Sequence, residues 1–460
     1  MTTIVWFRRD LRVADNPALL SAVERGTVLP VYIHAPHEEA PWAPGAASLW
    51  WLHHSLKALQ QNLKALGLPL IILQGDSLNC LQQLVRDTEA DAVFWNRLYE
   101  PAIIARDAEI KKILRDRDIE ARSFNAGLLL EPWQVENKQG KPFRVFTPFW
   151  RHFIGLLDAA PPVAELPPEQ PRAAEYHGAN LALEELALLP KLDWDRGFYD
   201  NWTPGEQAAQ DQLKYALEVI DSYNDSRDMP GQFGTSRLSP HLHFGEISPA
   251  QVWTTVKQQA AGSANDKENR LGYLRQLIWR EFGHHLIYHF PETANTPLND
   301  RFKAYPWWQS GDDDNNGHAE KLAAWQRGET GIAMVDAGMR ELWTTGWMHN
   351  RTRMIVASLL TKNLGIHWLE GARWFWDTLV DANLANNTLG WQWTAGCGAD
   401  AAPFFRIFNP DTQAERFDAR GEYRRQWLGS DWASRPSMVN LKASRETALD
   451  HYKALPKADN

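Results

Sequence analysis

Residues 381–393 read Asp381-Ala382-Asn383-Leu384-Ala385-Asn386-Asn387-Thr388-Leu389-Gly390-Trp391-Gln392-Trp393, a run that sets amides and a carboxylate against tryptophans. Buried amides and charges are costly unless paired, so this density implies a polar ligand or an internal network. Upstream, Gly346-Trp347-Met348-His349-Asn350-Arg351-Thr352-Arg353-Met354 places Asn350, Arg353 and Met354 on one helical face. In Tyr273-Leu274-Arg275-Gln276-Leu277-Ile278-Trp279-Arg280-Glu281-Phe282, helical spacing groups Gln276, Trp279 and Arg280 with Gly283. Leu274, Leu277, Ile278 and Phe282 then face the core. An amide, an indole and a glycine on one face suit a flat ring held by stacking and edge hydrogen bonds; packing of the indole is the competing reading. Gly234-Thr235-Ser236-Arg237-Leu238-Ser239-Pro240 supplies hydroxyls and a turn that fit a diphosphate, although by itself it reads more readily as a helix cap. His349 reads as a core histidine with no catalytic role.

All four blocks follow Thr203-Pro204-Gly205, after which the pattern is helical to about residue 430. The last 30 or so residues read as a short tail. Before residue 130, apolar runs at 3–7, 28–33, 70–73 and 92–95 alternate with amphipathic stretches such as 49–66. That alternation predicts a βαβ pattern and a parallel sheet covered on both faces. Asp15 followed by Asn16-Pro17 reads as a helix N-cap with proline at the helix start. Neither G-x-G-x-x-G nor a Walker A loop is present. Between 131 and 200, Pro148, Pro161-Pro162, Pro167-Pro168 and Pro171 break long helices. The expected organisation is an α/β, Rossmann-like parallel-sheet domain over 1–130, an interdomain linker over 131–200 and an all-α domain over 201–460.

The 23 tryptophans are the compositional outlier, more than core filling readily explains. Net charge is −9, so a broadly basic nucleic-acid binder is excluded and any DNA contact must come from a local patch. Arg416, Arg420, Arg424 and Arg425 are candidates for part of one. Two cysteines, Cys80 and Cys397, leave no disulfide framework. With no signal peptide and no apolar span in the sequence, a cytoplasmic protein without membrane contact is expected. The acidic segment Asp312-Asp313-Asp314-Asn315-Asn316-Gly317 reads as a surface loop, and no metal is expected there.

Taken together, the four blocks resemble the DNA photolyase/cryptochrome family, and most of all a class I cyclobutane pyrimidine dimer photolyase. The resemblance covers nearly the whole chain. It also runs through Trp6-Phe7-Arg8-Arg9-Asp10-Leu11-Arg12, Phe146-Thr147-Pro148-Phe149 and Asp400-Ala401-Ala402-Pro403-Phe404-Phe405-Arg406-Ile407-Phe408-Asn409-Pro410.

That resemblance implies FAD, folded into a U in the helical domain and active as FADH⁻. Tyr223, Thr235, Ser236, Arg237, Leu238 and Ser239 would meet its phosphates and ribityl chain, with Tyr273 and Ala382 also in contact. Arg353 and Asp381 would form an ion pair beside the isoalloxazine, and Asn387 would face flavin N5. Asn383 stands where many relatives have Asp, and would offer hydrogen bonds without charge. Trp391, Trp368 and Trp308 fall where the family keeps its electron-transfer chain. The implied activity is light-driven repair of a pyrimidine dimer flipped out of DNA. Trp279 and Trp393 would wedge the lesion; Gln276, Asn350, Met354 and Asn387 would line the catalytic pocket. Arg227, Arg280, Arg351 and Gln413 would meet the DNA backbone.

The (6-4) branch resembles W-x-H-H where this chain has Trp347-Met348-His349-Asn350, which favours the cyclobutane dimer. Gln276 replaces the glutamate usual in that branch and is shared by cryptochromes, so a blue-light receptor with weak or no repair is the alternative. A redox flavoprotein sharing only the α/β domain is disfavoured by the helical blocks. A second, antenna chromophore (folate or deazaflavin) is unassigned, because Tyr99-Glu100 is followed by Pro101-Ala102-Ile103 rather than the expected pair. A monomer with no obligate protein partner is expected.

Overall fold

The early apolar runs become strands because each is short, bounded by turns and rich in β-branched and aromatic residues. They are β1 (Thr2–Phe7), β2 (Thr27–His34), β3 (Ile71–Gln74), β4 (Ala92–Asn96) and β5 (Glu120–Phe124). All pair in parallel, in the order β3-β2-β1-β4-β5. The computed structural model describes residues 1–259, 262–401, 405–430, 432 and 436–456. β5 escaped the sequence reading because it is an edge strand whose Glu120 and Arg122 interrupt the apolar run.

Helices α1 (Pro17–Arg25), α2 (Ala46–Ala65), α3 (Ser77–Thr88) and α4 (Pro101–Arg115) make the crossovers. Asn16 is the cap of α1, its side chain accepting from the Leu19 N–H, with Pro17 in the first turn. Along β1 the side chains alternate between two cores. Val5 and Phe7 pack with Trp50, Trp51 and Leu56, whereas Ile4 and Trp6 pack with Leu81, Leu84 and Ile110.

Residues 131–200 pack at both ends, while 158–180 run mostly exposed between them. In α5 (Phe146–Ala159), Phe146, Phe149 and Phe153 join Leu277 and Phe282 of the helical domain. The chain then returns: β6 (Arg172–Ala173) pairs with β2, and Leu183, Leu186 and Leu188 enter the α/β core.

The helical domain contains α6 (Arg196–Asn201), α7 (Glu206–Val219), α8 (Tyr223–Ser226), α9 (Ser239–His243), α10 (Pro249–Gln258), α11 (Ala264–His289) and α12 (His318–Arg327). It continues with α13 (Ala333–Thr345), α14 (Asn350–Ser358), α15 (Trp368–Thr378), α16 (Leu384–Ala395), α17 (Pro410–Phe417), α18 (Glu422–Leu428) and α19 (Leu441–Ala454). The last of these corrects the expected tail. Asn440 caps α19 by accepting from the Lys442 and Ala443 N–H groups, Ala448 is buried, and Tyr452 stacks on Phe405 at 4.5 Å. Short spacing of its apolar positions hid a helix that depends on aromatic neighbours distant in sequence. Of the 400–410 motif, Ala402, Pro403 and Phe404 lie outside the described residues.

The acidic segment is a capping loop: the Asp314 carboxylate accepts from the His318 and Ala319 N–H groups at 2.5 and 2.9 Å. Among the described residues, no helix is long and apolar enough to cross a membrane.

The two domains meet at a polar seam. Arg12 donates to the carbonyls of Ala14, Asp15, Ala126 and Gly245. Glu206 accepts from the Val13 and Ala14 N–H groups, each at 2.9 Å, and Trp51 Nε1 donates to Glu246 at 3.0 Å.

Candidate cofactor and lesion site

α16 packs against α11, α14 and α15, so three of the four sequence blocks converge from separate helices. At its start the Asn383 carbonyl oxygen accepts from the Asn386 N–H, capping the helix. The Asn383 amide nitrogen lies 3.4 Å from His284 Nε2. Burial pushes His284 down to about 3, so its ring is neutral. Nδ1 faces the Arg280 carbonyl at 2.9 Å and must carry the proton, which leaves Nε2 free to accept from Asn383. Asn383 therefore keeps at most one amide hydrogen for a ligand, fewer than its sequence position suggested.

Next to it, Arg353 Nη2 meets the two Asp381 oxygens at 2.9 and 3.1 Å, and Arg353 Nε donates to the Met348 carbonyl at 2.7 Å. The Asn387 amide donates once, to the Ala372 carbonyl at 3.0 Å, which leaves its oxygen and one hydrogen available. Asn350 opens α14, is exposed and has no partner among the described residues. An ion pair beside uncommitted amides is the donor set that the hydrogen-bonding edge of a flavin needs, so these residues fit FAD.

The Gly234–Pro240 turn is pressed against α8. A Cβ on Gly234 would sit 2.5 Å from the Ser226 carbonyl oxygen, so no other residue fits without movement. Tyr223 meets Tyr273 edge to face at 5.4 Å. Thr235 has no side-chain partner among the described residues, while Ser239 Oγ accepts from Trp347 Nε1 at 3.3 Å. Arg237 has φ of 51°, and its guanidinium lies 4.3 Å over Trp202 and 5.0 Å over Trp347. Its charge is thus turned into an indole clamp, and only its backbone faces the turn. Leu238 is buried behind it.

On the expected DNA side, Gln276 is half-buried, and its amide donates to the Gly272 carbonyl at 3.2 Å. Its carbonyl oxygen is uncommitted. Trp279 lies flat on Phe146, with ring centres 3.5 Å apart and planes at 7°, so one face is covered and only the other could meet a base. Trp393 is half-buried, with Arg406 5.8 Å over its ring; Met354 is half-buried as well. Arg351 pairs with Asp228 at 2.8 Å and packs 4.2 Å over Phe417. Arg227 is 3.9 Å from the same carboxylate. Gln413 is half-buried, its side-chain oxygen shielded and without a partner.

Arg280 is a correction. It donates to the Gly127 carbonyl at 2.7 Å and stands 3.5 Å from Glu281, so its guanidinium is engaged at the domain seam instead of being free for a phosphate. Arg424 is likewise held by Asp418 at 2.9 Å, whereas Arg416, Arg420 and Arg425 are exposed.

Trp391 is 2 % exposed, Trp368 0 % and Trp308 9 %, and none of their indole N–H groups has a partner among the described residues. A Cβ on Gly371 would overlap the six-membered ring of Trp391, so the indole lies flush on α15 one turn from Trp368. Trp308 is tied to the start of the same helix: its N–H donates to Gly365 at 2.9 Å, and its carbonyl accepts from His367 at 2.7 Å.

Sequence reasoning missed a cleft between the domains, lined by Arg8, Arg9, Tyr32, Glu39, Arg106 and His243, with Ala382 also in its wall. Strand order reverses at β1 and β4, and such crevices open at the carboxyl ends of the strands there. Arg8 and Arg9 directly follow β1, so that rule applied to the strand pattern would have pointed to it. Arg9 pairs at 2.7 Å with Glu100, which the sequence analysis had weighed in connection with an antenna chromophore.

Residues 3–169 match the family described as DNA photolyase, and residues 273–436 match the FAD binding domain of DNA photolyase. The chain is 46% identical to the deoxyribodipyrimidine photo-lyase of Agrobacterium fabrum, over 92% of this chain and 86% of that protein. It is 38% identical to cryptochrome-2 of Arabidopsis thaliana, over 96% of this chain and 74% of that one. The crystal structure of a bacterial class III photolyase from Agrobacterium tumefaciens superposes with a TM-score of 0.90 at 43% identity, covering 98% of this chain and 97% of that one. The likeness is thus to the family, with a class III member among its nearest structures, and does not single out class I.

Proposed function

The chain belongs to the DNA photolyase/cryptochrome family, and from that membership and the site geometry we propose that it repairs cyclobutane pyrimidine dimers in DNA under blue light. Bound reduced FAD supplies the light-driven electron that splits such a dimer. Everything else falls to the chain. Arg353 and Asp381 fix the polar edge of the cofactor, while Asn387, anchored by its bond to Ala372, presents an amide to it. Asn350 and Met354 border the space a flipped base would enter, with the free face of Trp279 and Trp393 as walls. Gln276 offers its uncommitted oxygen and remaining amide hydrogen to the lesion. Trp308, Trp368 and Trp391 pass electrons inward from the surface, through indoles kept dry.

The observation that carries this reading is the Arg353–Asp381 pair at 2.9 Å surrounded by amides with unfilled hydrogen-bonding capacity. The test uses protein loaded with FAD, reduced anaerobically and mixed with an oligothymidine containing cyclobutane dimers. Recovery of thymine absorbance in blue light, against a dark control, supports repair; no recovery from a photoreducible protein refutes it.

A specific residue favours the second reading, a blue-light receptor. Gln276 is neutral where the cyclobutane branch usually has glutamate, and the chain is 38% identical to a plant cryptochrome. Absent repair together with efficient photoreduction is the outcome that reading expects. A second chromophore would sit in the interdomain cleft, where arginines and Tyr32 suit a flat ring with an anionic tail. Ala382, whose neighbours Asp381 and Asn383 belong to the cofactor site, lines that cleft.

A further inference from the structure

Helix α14 runs into a π-helical turn, Leu359–Asn363, closed by the Leu364 N–H on the Leu359 carbonyl at 2.9 Å. Turns of this kind add one residue to a helix and are frequent at functional sites. Lys362 lies in it and is 3 % exposed, with no carboxylate partner among the described residues. Its amine donates to the Arg406 carbonyl and lies 4.4 Å over the Phe405 ring. Burial pushes the amine down to about 7, and charged or neutral it still carries hydrogens for that carbonyl. We propose that Lys362 is a positioning residue for DNA binding: from inside the helical bundle it fixes the backbone at 405–406, so that Arg406 stands beside the pocket wall Trp393 to meet a phosphate.

Here the chain sends successive side chains in two directions. Phe405 goes inward, stacked on Tyr452 at 4.5 Å and 6.2 Å from the Phe302 ring. A Cβ on Gly396 would sit 2.9 Å from the Phe405 ring, so that ring also abuts the end of α16, the helix of Trp393. Arg406, the next residue, is exposed, has no ion-pair partner among the described residues and lies 5.8 Å over Trp393. Two positions on, the Phe408 N–H donates to Ser358 Oγ at 3.0 Å, and the Phe408 ring is 6.2 Å from Trp393. Ser358 and Lys362 thus hold the segment on either side of Ile407. Burying an amine costs far more than burying an apolar side chain of similar length, so filling space alone does not call for one. What the amine adds is a bond to the backbone of the residue whose guanidinium is free. A guanidinium in that place gives affinity for the DNA backbone without reading sequence, as a lesion binder needs.

This inference rests on the proposed action on dimers in DNA, and its test separates the two. FAD-loaded protein would be titrated in the dark with a duplex carrying a cyclobutane thymine dimer, at several salt concentrations, and with the same duplex undamaged. Arg406→Ala should weaken dimer binding about tenfold and lower the slope of log affinity against log salt by about 0.9, the signature of a lost phosphate contact. Lys362→Met should lose affinity and slope in the same way, while FAD content and photoreduction are unchanged and the urea midpoint is not lowered. The double variant should bind no worse than either single one, because the two residues act through one contact. Arg406→Ala protein with the wild-type slope overturns the inference, even where Lys362→Met does not fold. So does Lys362→Met protein that binds as the wild type does, or a double variant whose losses add. If the wild type shows no preference for the dimer over undamaged duplex, the proposed function itself is wrong and the inference falls with it.

Discussion

Arg12 at the domain seam and Arg353 at the helical-domain site are both shielded arginines, and their surroundings are opposite in kind. Arg12 is 1 % exposed, and its guanidinium is surrounded by four backbone carbonyls from both domains. Near it, both Glu206 oxygens are taken, one of them also by Asn62. Arg353 has its carboxylate and one carbonyl, but the amides of the helical-domain blocks, Asn350, Asn387 and Gln276, retain unused donors or acceptors. A saturated polar cluster holds a structure together, since each group already has what water gave it. An unsaturated one on the open side of a helical bundle is shaped for a ligand that completes it.

Removing a member of each cluster should therefore have different consequences. Arg12→Ala leaves several carbonyls unpaired at the seam and should lower stability by about 3–5 kcal/mol, read from urea unfolding. Arg353 variants should instead lose FAD at a much smaller cost in unfolding free energy. Equal losses from both would break the comparison.

Each region also carries a carboxyl lifted by burial from 4.5 to about 7, Glu281 at the seam and Glu341 beneath the site. Between those values the folded state holds protons that the unfolded state has released, so stability falls as pH rises from about 4.5 to about 7 and levels off above. Glu281→Gln and Glu341→Gln should each flatten that decline by about 1–3 kcal/mol. Their hydrogen-bond partners, the Leu129 N–H and the Tyr423 hydroxyl, can still donate to the amide oxygen. A decline that is unchanged in both variants would remove burial as its cause.

The next effect is kinetic. Trp391→Phe should slow photoreduction of oxidised FAD about tenfold or more, while repair by pre-reduced protein is largely kept. Unchanged photoreduction would sink the assignment of the dry indoles as a path. The smallest effect is expected from Gln276→Glu. A charged acceptor strengthens a hydrogen bond by about 0.5–1.5 kcal/mol, so dimer affinity or repair yield should rise two- to tenfold. If both fall, the glutamine is fitted to another substrate.

Much of this was legible beforehand where local pattern and chemistry coincide. The cap at Asn16, the strand alternation through Ile4, Val5, Trp6 and Phe7, and the helical face of Gln276 and Trp279 follow from spacing alone. Arg280 was misplaced because helical spacing gives a direction around an axis, not what stands on that side. Asn383 has fewer hydrogens for a ligand than its position suggests because one of them is taken by His284, 99 residues upstream. The helix at 441–454 was missed because its partners, Phe405 and Tyr305, come from elsewhere in the chain.

The sequence by itself determined the α/β-then-helical order, the four polar blocks of the helical domain and, through their resemblance, the family. These are properties of short windows, set by periodicity and residue type. Only the tertiary structure decided which polar groups are left without partners. It closed Arg12 and Arg280 into the seam, left Asn350 and Asn387 open, folded the interdomain cleft and tied Lys362 to the Arg406 carbonyl. Satisfaction of a hydrogen bond or a charge is a property of pairs, and most of these partners stand tens to hundreds of residues away.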